Sequence, residues 1–184
     1  MFNFGKNWLA FSQKALTTER VQQAQEDFAQ LFEGIALQNK TFLDIGFGQG
    51  LSLLIAKQHG AQVVGCDINP TCQQALVQSS THFPDIQLAD ILIFEGSILE
   101  STLVKQLLAQ SHQQGFDIVH SWGVLHHTGN MQRAIEHAAA LVKPVGILVV
   151  AIYNRHWSSS IWLAIKWLYS HAPNFLQKVL IYLF

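Results

Sequence analysis

Apolar residues along the chain follow two alternating rhythms. Short, nearly continuous runs rich in β-branched and aromatic residues recur at 41–45, 61–67, 91–96, 116–122 and 146–153. Glycine, proline or an acid bounds each run, and runs of this length and make-up predict buried strands. Between them, apolar residues return at helical spacing from Leu51, from Pro70 to about Ser80, from Leu99 to about Gln113, and from Gly129 to Val142. Pro70 suits a first helical turn, whereas Pro144 and Gly146 read as the close of the last helix. The middle strands are apolar on both faces, as in a parallel sheet covered on both sides. Right-handed crossovers then predict an α/β fold, a doubly wound Rossmann-like sheet of strand order 3-2-1-4-5 with helices on both faces. Its ligand crevice lies at the carboxyl ends of strands one and four.

The flanks follow a different pattern. Residues 2–11 are aromatic and irregular, and Thr17 or Thr18 can cap a helix running to about Phe32. Val21, Ala24, Phe28, Leu31 and Phe32 fall on one face of that helix, and Gln22, Gln23 and Gln25 on the other. Its simplest role is to cover one sheet edge. A functional alternative makes the preceding aromatics, with Lys6 and Trp8, a flap over a ligand. At the other flank, IWLAIKWLY (161–169) reads as a helix packed on the sheet, an interfacial membrane helix or a dimer face. The expected organisation is a single domain, 1–184, with a helical cap over 1–40, a ligand-binding core over 41–153 and apolar helices over 154–184.

Composition narrows the function classes. A chain of 184 residues supports one domain with a proper core. The formal net charge of −1 gives no electrostatic case for nucleic acid. Charged residues make up 12%, roughly half the usual share of about 25%. Hydrophobic residues make up 49%, so some apolar surface is expected to meet a partner, a membrane or a missing piece of the protein. No run of about 20 apolar residues suggests a spanning helix. The N-terminus lacks the build of a signal peptide, and Cys66 and Cys72 read as buried, reduced thiols of a cytoplasmic protein.

The most specific signal is TFLDIGFGQG, residues 41–50. A short strand ends near Asp44, and Gly46, Gly48 and Gly50 turn the chain into a helix. Glycines permit the sharp turn and a close ligand approach, and the helix aims a positive dipole end at a carboxylate or phosphate. The dinucleotide fingerprint would need glycine at 51, where the chain has Leu51. Asp67 closes the next strand 17 residues after Gly50, where an acid can accept hydrogen bonds from both hydroxyls of a ribose. Asp44, Asp67, Ser97 and Ser121 all emerge at one end of the sheet.

The D-x-G-x-G-x-G run with Asp67 resembles motif I and the following acid of class I S-adenosylmethionine-dependent methyltransferases. FDIVHSWGVLHHTGNM, from Phe116, is similar to the region after strand four in methyltransferases of the ubiquinone-biosynthesis type. GKNWLAF and AIYNRHWSSSIW look like flanking segments of a bacterial subgroup. The resemblance implies S-adenosyl-L-methionine as cofactor, with Gly46, Gly48 and Gly50 holding its methionine part and Asp44 facing its ammonium group. It further implies that Asp67 takes the ribose diol, Ile68 packs on adenine, and Gly96, Ser97 and Ile98 read the adenine edge. Many relatives have Asp where this chain has Ser97, whose hydroxyl accepts more weakly. Members of this fold usually add a sixth strand and an antiparallel seventh, for which 184 residues leave no room; the expectation is a natural short form or a fragment.

Methyl transfer needs alignment of acceptor, methyl and sulfur, and a base only where the acceptor keeps its proton. His126 and His127 sit just past strand four and titrate near neutrality, which makes them candidate catalytic bases; the alternative is a His pair that only hydrogen-bonds locally. His112, His120 and His137 are spread over different elements without metal-ligand spacing, and no metal is expected. Arg155 and His156 are substrate-loop candidates, or part of a solvated loop.

Two functions of different classes follow. One is an enzyme methylating a small-molecule acceptor. The other is a non-catalytic cofactor-binding remnant or subunit acting through a partner. An apolar tail with strands six and seven absent predicts self-association, or membrane-surface contact, through 158–184.

Overall fold

The five apolar runs form one parallel sheet: β1 (Thr41–Ile45), β2 (Gln62–Asp67), β3 (Leu92–Glu95), β4 (Phe116–Trp122) and β5 (Val142–Ala151), in the order β3-β2-β1-β4-β5. The computed structural model describes residues 4–154, 161–163, 165, 167, 169, 172 and 173. The chain divides into two compact units, Met1–Ile152 and Tyr153–Phe184. The sheet, the candidate cofactor-binding residues and His126 and His127 belong to the first.

Successive strand residues point to opposite faces, and each face has its own core. Phe42 and Ile118 pack with α2 (Thr18–Leu31), α3 (Leu51–Gln58) and α4 (Thr71–Ser80) through Phe28, Leu53, Ile55 and Leu76. Leu43, Ile45 and Val119 pack on the other face with α5 (Ser101–Gln110) and α6 (Met131–Ala140) through Leu103, Leu107, Ala134 and Ala138. This division between faces is the doubly wound arrangement expected from the alternating pattern.

The N-terminal segment departs from expectation. Residues read as irregular form a helix, α1 (Phe4–Lys14). Ser12 is buried, with its hydroxyl 3.2 Å from Ser79 Oγ on α4, so a surface remote in sequence supports the helix. Thr17 caps α2 by accepting a hydrogen bond from the Arg20 N–H at 3.4 Å. Phe32 rests at ring distances of 5.9 Å from Phe42 and 6.4 Å from His120, on neighbouring strands. That end of α2 therefore lies over the sheet face and not along an edge, and Leu31, expected on the buried face, is exposed.

Pro144 and Gly146 do not close a helix. α6 ends at Ala140, and both residues lie in an irregular stretch of β5, where the pairing shifts between Phe116↔Val142 and Ile118↔Ile147. The extra residues bulge outward, with Val145 fully exposed at φ +62°.

Asp117, at the amino end of β4, ties this pole together. Its carboxylate accepts from the Thr41 N–H at 3.0 Å and the Thr41 hydroxyl at 2.9 Å. It also pairs with Lys143, and with Lys40 at 3.3 Å. Burial alone would raise this carboxyl's pKa, but Lys143, the Thr41 donors and Lys40 together hold it far below the usual carboxylate range.

No helix among the described residues is long and apolar enough to cross a membrane. The expected contact surface over 158–184 lies largely outside the described residues, as do Arg155 and His156.

Candidate active site

The carboxyl ends of β1 and β2 meet at the glycine turn. Gly46, Gly48 and Gly50 all take positive φ, at +76°, +57° and +80°, which explains three glycines in five residues. Hydrogen bonds fix the turn: Gly46 N–H donates to Cys66 O at 2.7 Å, and Gly50 N–H to Phe47 O at 2.8 Å. The space beside each glycine is filled by the protein itself. A Cβ at Gly46 would come within 2.5 Å of Val124, and one at Gly50 within 2.3 Å of Leu76. At Gly48 it would come within 2.9 Å of Trp8 Nε1. Close approach is thus a property of the turn, but side chains of this chain make the approach. α3 then starts at Gly50 without a side-chain cap, leaving first-turn N–H groups available for an anion.

Asp67 is held from two sides. Gly48 N–H donates to one carboxylate oxygen at 3.1 Å and Asn69 N–H to the other at 2.9 Å. Each oxygen keeps lone-pair capacity for a second donor, the arrangement a pair of ribose hydroxyls needs. Asn69 is itself fixed, accepting from the Thr71 N–H at 3.1 Å. A cleft opens here, lined by Phe47, Asp67, Asn69, Gln73, Phe94 and Glu95. Ile68 beside it is 65% exposed, an apolar face left for a planar group. Asn69, Gln73 and Phe47 were not singled out by sequence reasoning; the asparagine two residues after the strand-ending acid was the available signal.

The other sequence candidates divide between the crevice and the interior. Ser97 is partly buried, and its hydroxyl accepts from the Leu99 N–H at 3.2 Å. The Ile98 side chain is buried, and its carbonyl lies 2.7 Å from His137 Nδ1. Ser121 is fully buried and donates to Ile45 O at 3.0 Å, so its hydroxyl braces the start of the glycine turn. Asp44 is also interior, with Oδ1 2.9 Å from His120 Nδ1. Cys66 and Cys72 are both buried. Burial, reinforced by Asp44, pushes the Cys66 thiol up to about 12, and burial near Asp67 raises Cys72 too, so neither is a nucleophile.

His126 and His127 occupy a 3-10 turn, Leu125–His127, directly after Val124, whose side chain covers Gly46. The pair therefore stands next to the glycine turn. Their rings lie 4.0 Å apart, with His126 partly buried and His127 exposed. Burial, then the neighbouring His127, lowers the His126 pKa below its ordinary value, which keeps this imidazole neutral at pH 7.

A doubly wound sheet with a glycine turn after β1 and a clamped acid after β2 is shared by a broad class of nucleoside-binding α/β domains. Within that class, this chain belongs to the methyltransferase-domain family, which matches residues 17–180, and with it to the class I S-adenosylmethionine-dependent methyltransferases. Similar curated proteins include a ubiquinone biosynthesis O-methyltransferase of Rhodopseudomonas palustris, 32% identical over 123 residues, covering 67% of this chain and 44% of that protein. One from Coxiella burnetii is 30% identical over 125 residues, covering 68% of this chain and 48% of that protein. The matched region is thus less than half the length of these relatives. Among solved structures, the fold is shared with magnesium protoporphyrin IX methyltransferase from Synechocystis, determined with bound SAH, at TM-score 0.55 and 17% identity over 91% of this chain and 68% of that one. A putative sarcosine dimethylglycine methyltransferase from Galdieria sulphuraria gives TM-score 0.57 and 18% identity over 80% and 54%.

Proposed function

We propose that this domain binds S-adenosyl-L-methionine at the carboxyl ends of β1 and β2 and directs its methyl group to a small-molecule acceptor. The observation that carries the reading is the Asp67 carboxylate, clamped by the Gly48 and Asn69 N–H groups beside the exposed Ile68. Asp67 accepts from the ribose hydroxyls and Ile68 packs on the adenine, with Ser97 near the adenine edge. The uncapped start of α3, just after the glycine turn, receives the amino-acid end. Asp44, one oxygen engaged by His120, offers the other to an ammonium group.

The cofactor supplies a methyl group on a sulfonium, an electrophile with a good leaving group. What remains for the chain is to orient the acceptor, exclude water and accept the acceptor's proton. His126, neutral at pH 7 and next to the glycine turn, is the base in this reading, and His127 is its alternate.

Calorimetric titration with S-adenosylhomocysteine tests the cofactor class. Saturable binding is expected, with none for a nicotinamide dinucleotide; the reverse preference would contradict the reading.

A further inference from the structure

Three glycines form the turn, and three side chains cover them, but only one of the three covers is an exposed side chain. Leu76 is core, and Val124 belongs to the segment that follows the central strand β4. Trp8 lies on α1, is 39% exposed, and places its indole nitrogen directly over Gly48. α1 is fixed there by Ser12, whose hydroxyl meets Ser79 on α4 and Gln49 Oε1 of the glycine turn at 3.5 Å. Trp8 itself packs edge-on against Phe11, with ring centroids 6.3 Å apart.

The indole nitrogen is a donor and nothing else. This indole N–H lies against the glycine turn, and no described residue accepts from it. The glycine turn's own N–H groups at 46, 48 and 50 are already spent on Cys66, Asp67 and Phe47. Donors left at the turn for an anion include the first turn of α3 and the Trp8 N–H.

We propose that Trp8 is a cofactor-binding residue whose indole N–H donates to the carboxylate at the amino-acid end of the cofactor. This rests on the cofactor reading above and adds a residue outside the sheet. A single donor reaching over the turn from α1 makes the helix part of the site and more than its cover. A hydrogen bond to a carboxylate is charge-assisted and stronger than one between neutral groups.

Two ligands and one conservative variant separate the possibilities. S-adenosylhomocysteine carries the amino-acid end; 5′-methylthioadenosine has the same adenosine and thioether without it. Trp8→Phe keeps an aromatic ring against Phe11 and removes the N–H. Calorimetry is expected to show Trp8→Phe binding S-adenosylhomocysteine roughly tenfold more weakly than the original chain, with 5′-methylthioadenosine unchanged. Equal losses for both ligands, or no loss for either, would overturn the role of the N–H and leave the cofactor reading standing. Failure of the original chain to bind either nucleoside would overturn both.

Discussion

Asp44 Oδ1 and His120 Nδ1 lie 2.9 Å apart, both side chains about 4% exposed, on strands paired in register at these two residues. The imidazole stacks with Phe42 at 5.7 Å and with Trp122 at 6.1 Å, contacts that favour its orientation towards the carboxylate. A carboxylate this deep needs its donor. His120→Phe fits the aromatic stack but removes that donor, and is expected to destabilise the fold by roughly 2–4 kcal/mol. Urea unfolding of His120→Phe, Asp44→Asn and the double variant measures the coupling. A loss below about 0.5 kcal/mol would mean the pair is not stabilising.

Gly46 and Gly34 separate contact from conformation. Both have positive φ, +76° and +77°, but a Cβ at Gly34 meets nothing within 4 Å, whereas at Gly46 it meets Val124. Gly34→Ala is expected to cost about 1 kcal/mol, the backbone cost alone. Gly46→Ala is expected to cost roughly 2–4 kcal/mol, and Val124→Ala in the same chain to recover part of it. Equal costs at the two glycines would contradict the packed turn.

The strands and the glycine turn were legible because their causes are local. β4 occupies the very residues, 116–122, whose apolar run predicts it, and Asp67 ends β2 as its position after a hydrophobic run implies. What was not legible depends on partners distant in sequence. α1 is supported by α4, 67 residues away at the Ser12–Ser79 contact. Asp44 and His120 are 76 residues apart; the predicted strand order made β1 and β4 neighbours, but not the register that sets Asp44 opposite His120 and buries Ser121. Pro144 and Gly146 carry helix-stop chemistry, which serves equally well for a bulge in a strand.

Asp117 makes stability depend on pH in a definite direction. Its folded pKa is depressed below the unfolded value near 4, so the unfolded chain binds more protons as pH falls. The stabilisation is fully present above that unfolded value and is lost as pH falls towards the folded one. Asp117→Asn is expected to cost roughly 1–3 kcal/mol at pH 7 and to flatten the decline in stability below pH 4. Thermal unfolding across pH 2.5–7 is the check; parallel profiles for the two chains would contradict it.

His126 sets the expected pH dependence of turnover. Burial and His127 lower its pKa, so it stays neutral to below the ordinary imidazole value of about 6.5. Methyl transfer to a protonated acceptor should therefore hold its rate from pH 7 down past 6.5 and fall only below that. His126→Ala is expected to reduce kcat by roughly 100-fold or more, with little change in affinity for S-adenosylhomocysteine. An undiminished kcat in that variant would pass the base role to His127 or remove it.

Asp67 is expected to hold the ribose of the cofactor, and calorimetry on Asp67→Ala is the sharpest check of that role. S-adenosylhomocysteine should bind this variant more weakly by about 1–3 kcal/mol, the cost of removing a partly buried hydrogen-bond partner. Circular dichroism matching the original chain would show that the turn anchored through Gly48 survives the change. Affinity equal to that of the original chain would contradict this role, because the carboxylate clamped by the Gly48 and Asn69 N–H groups would then have no part in holding the ligand.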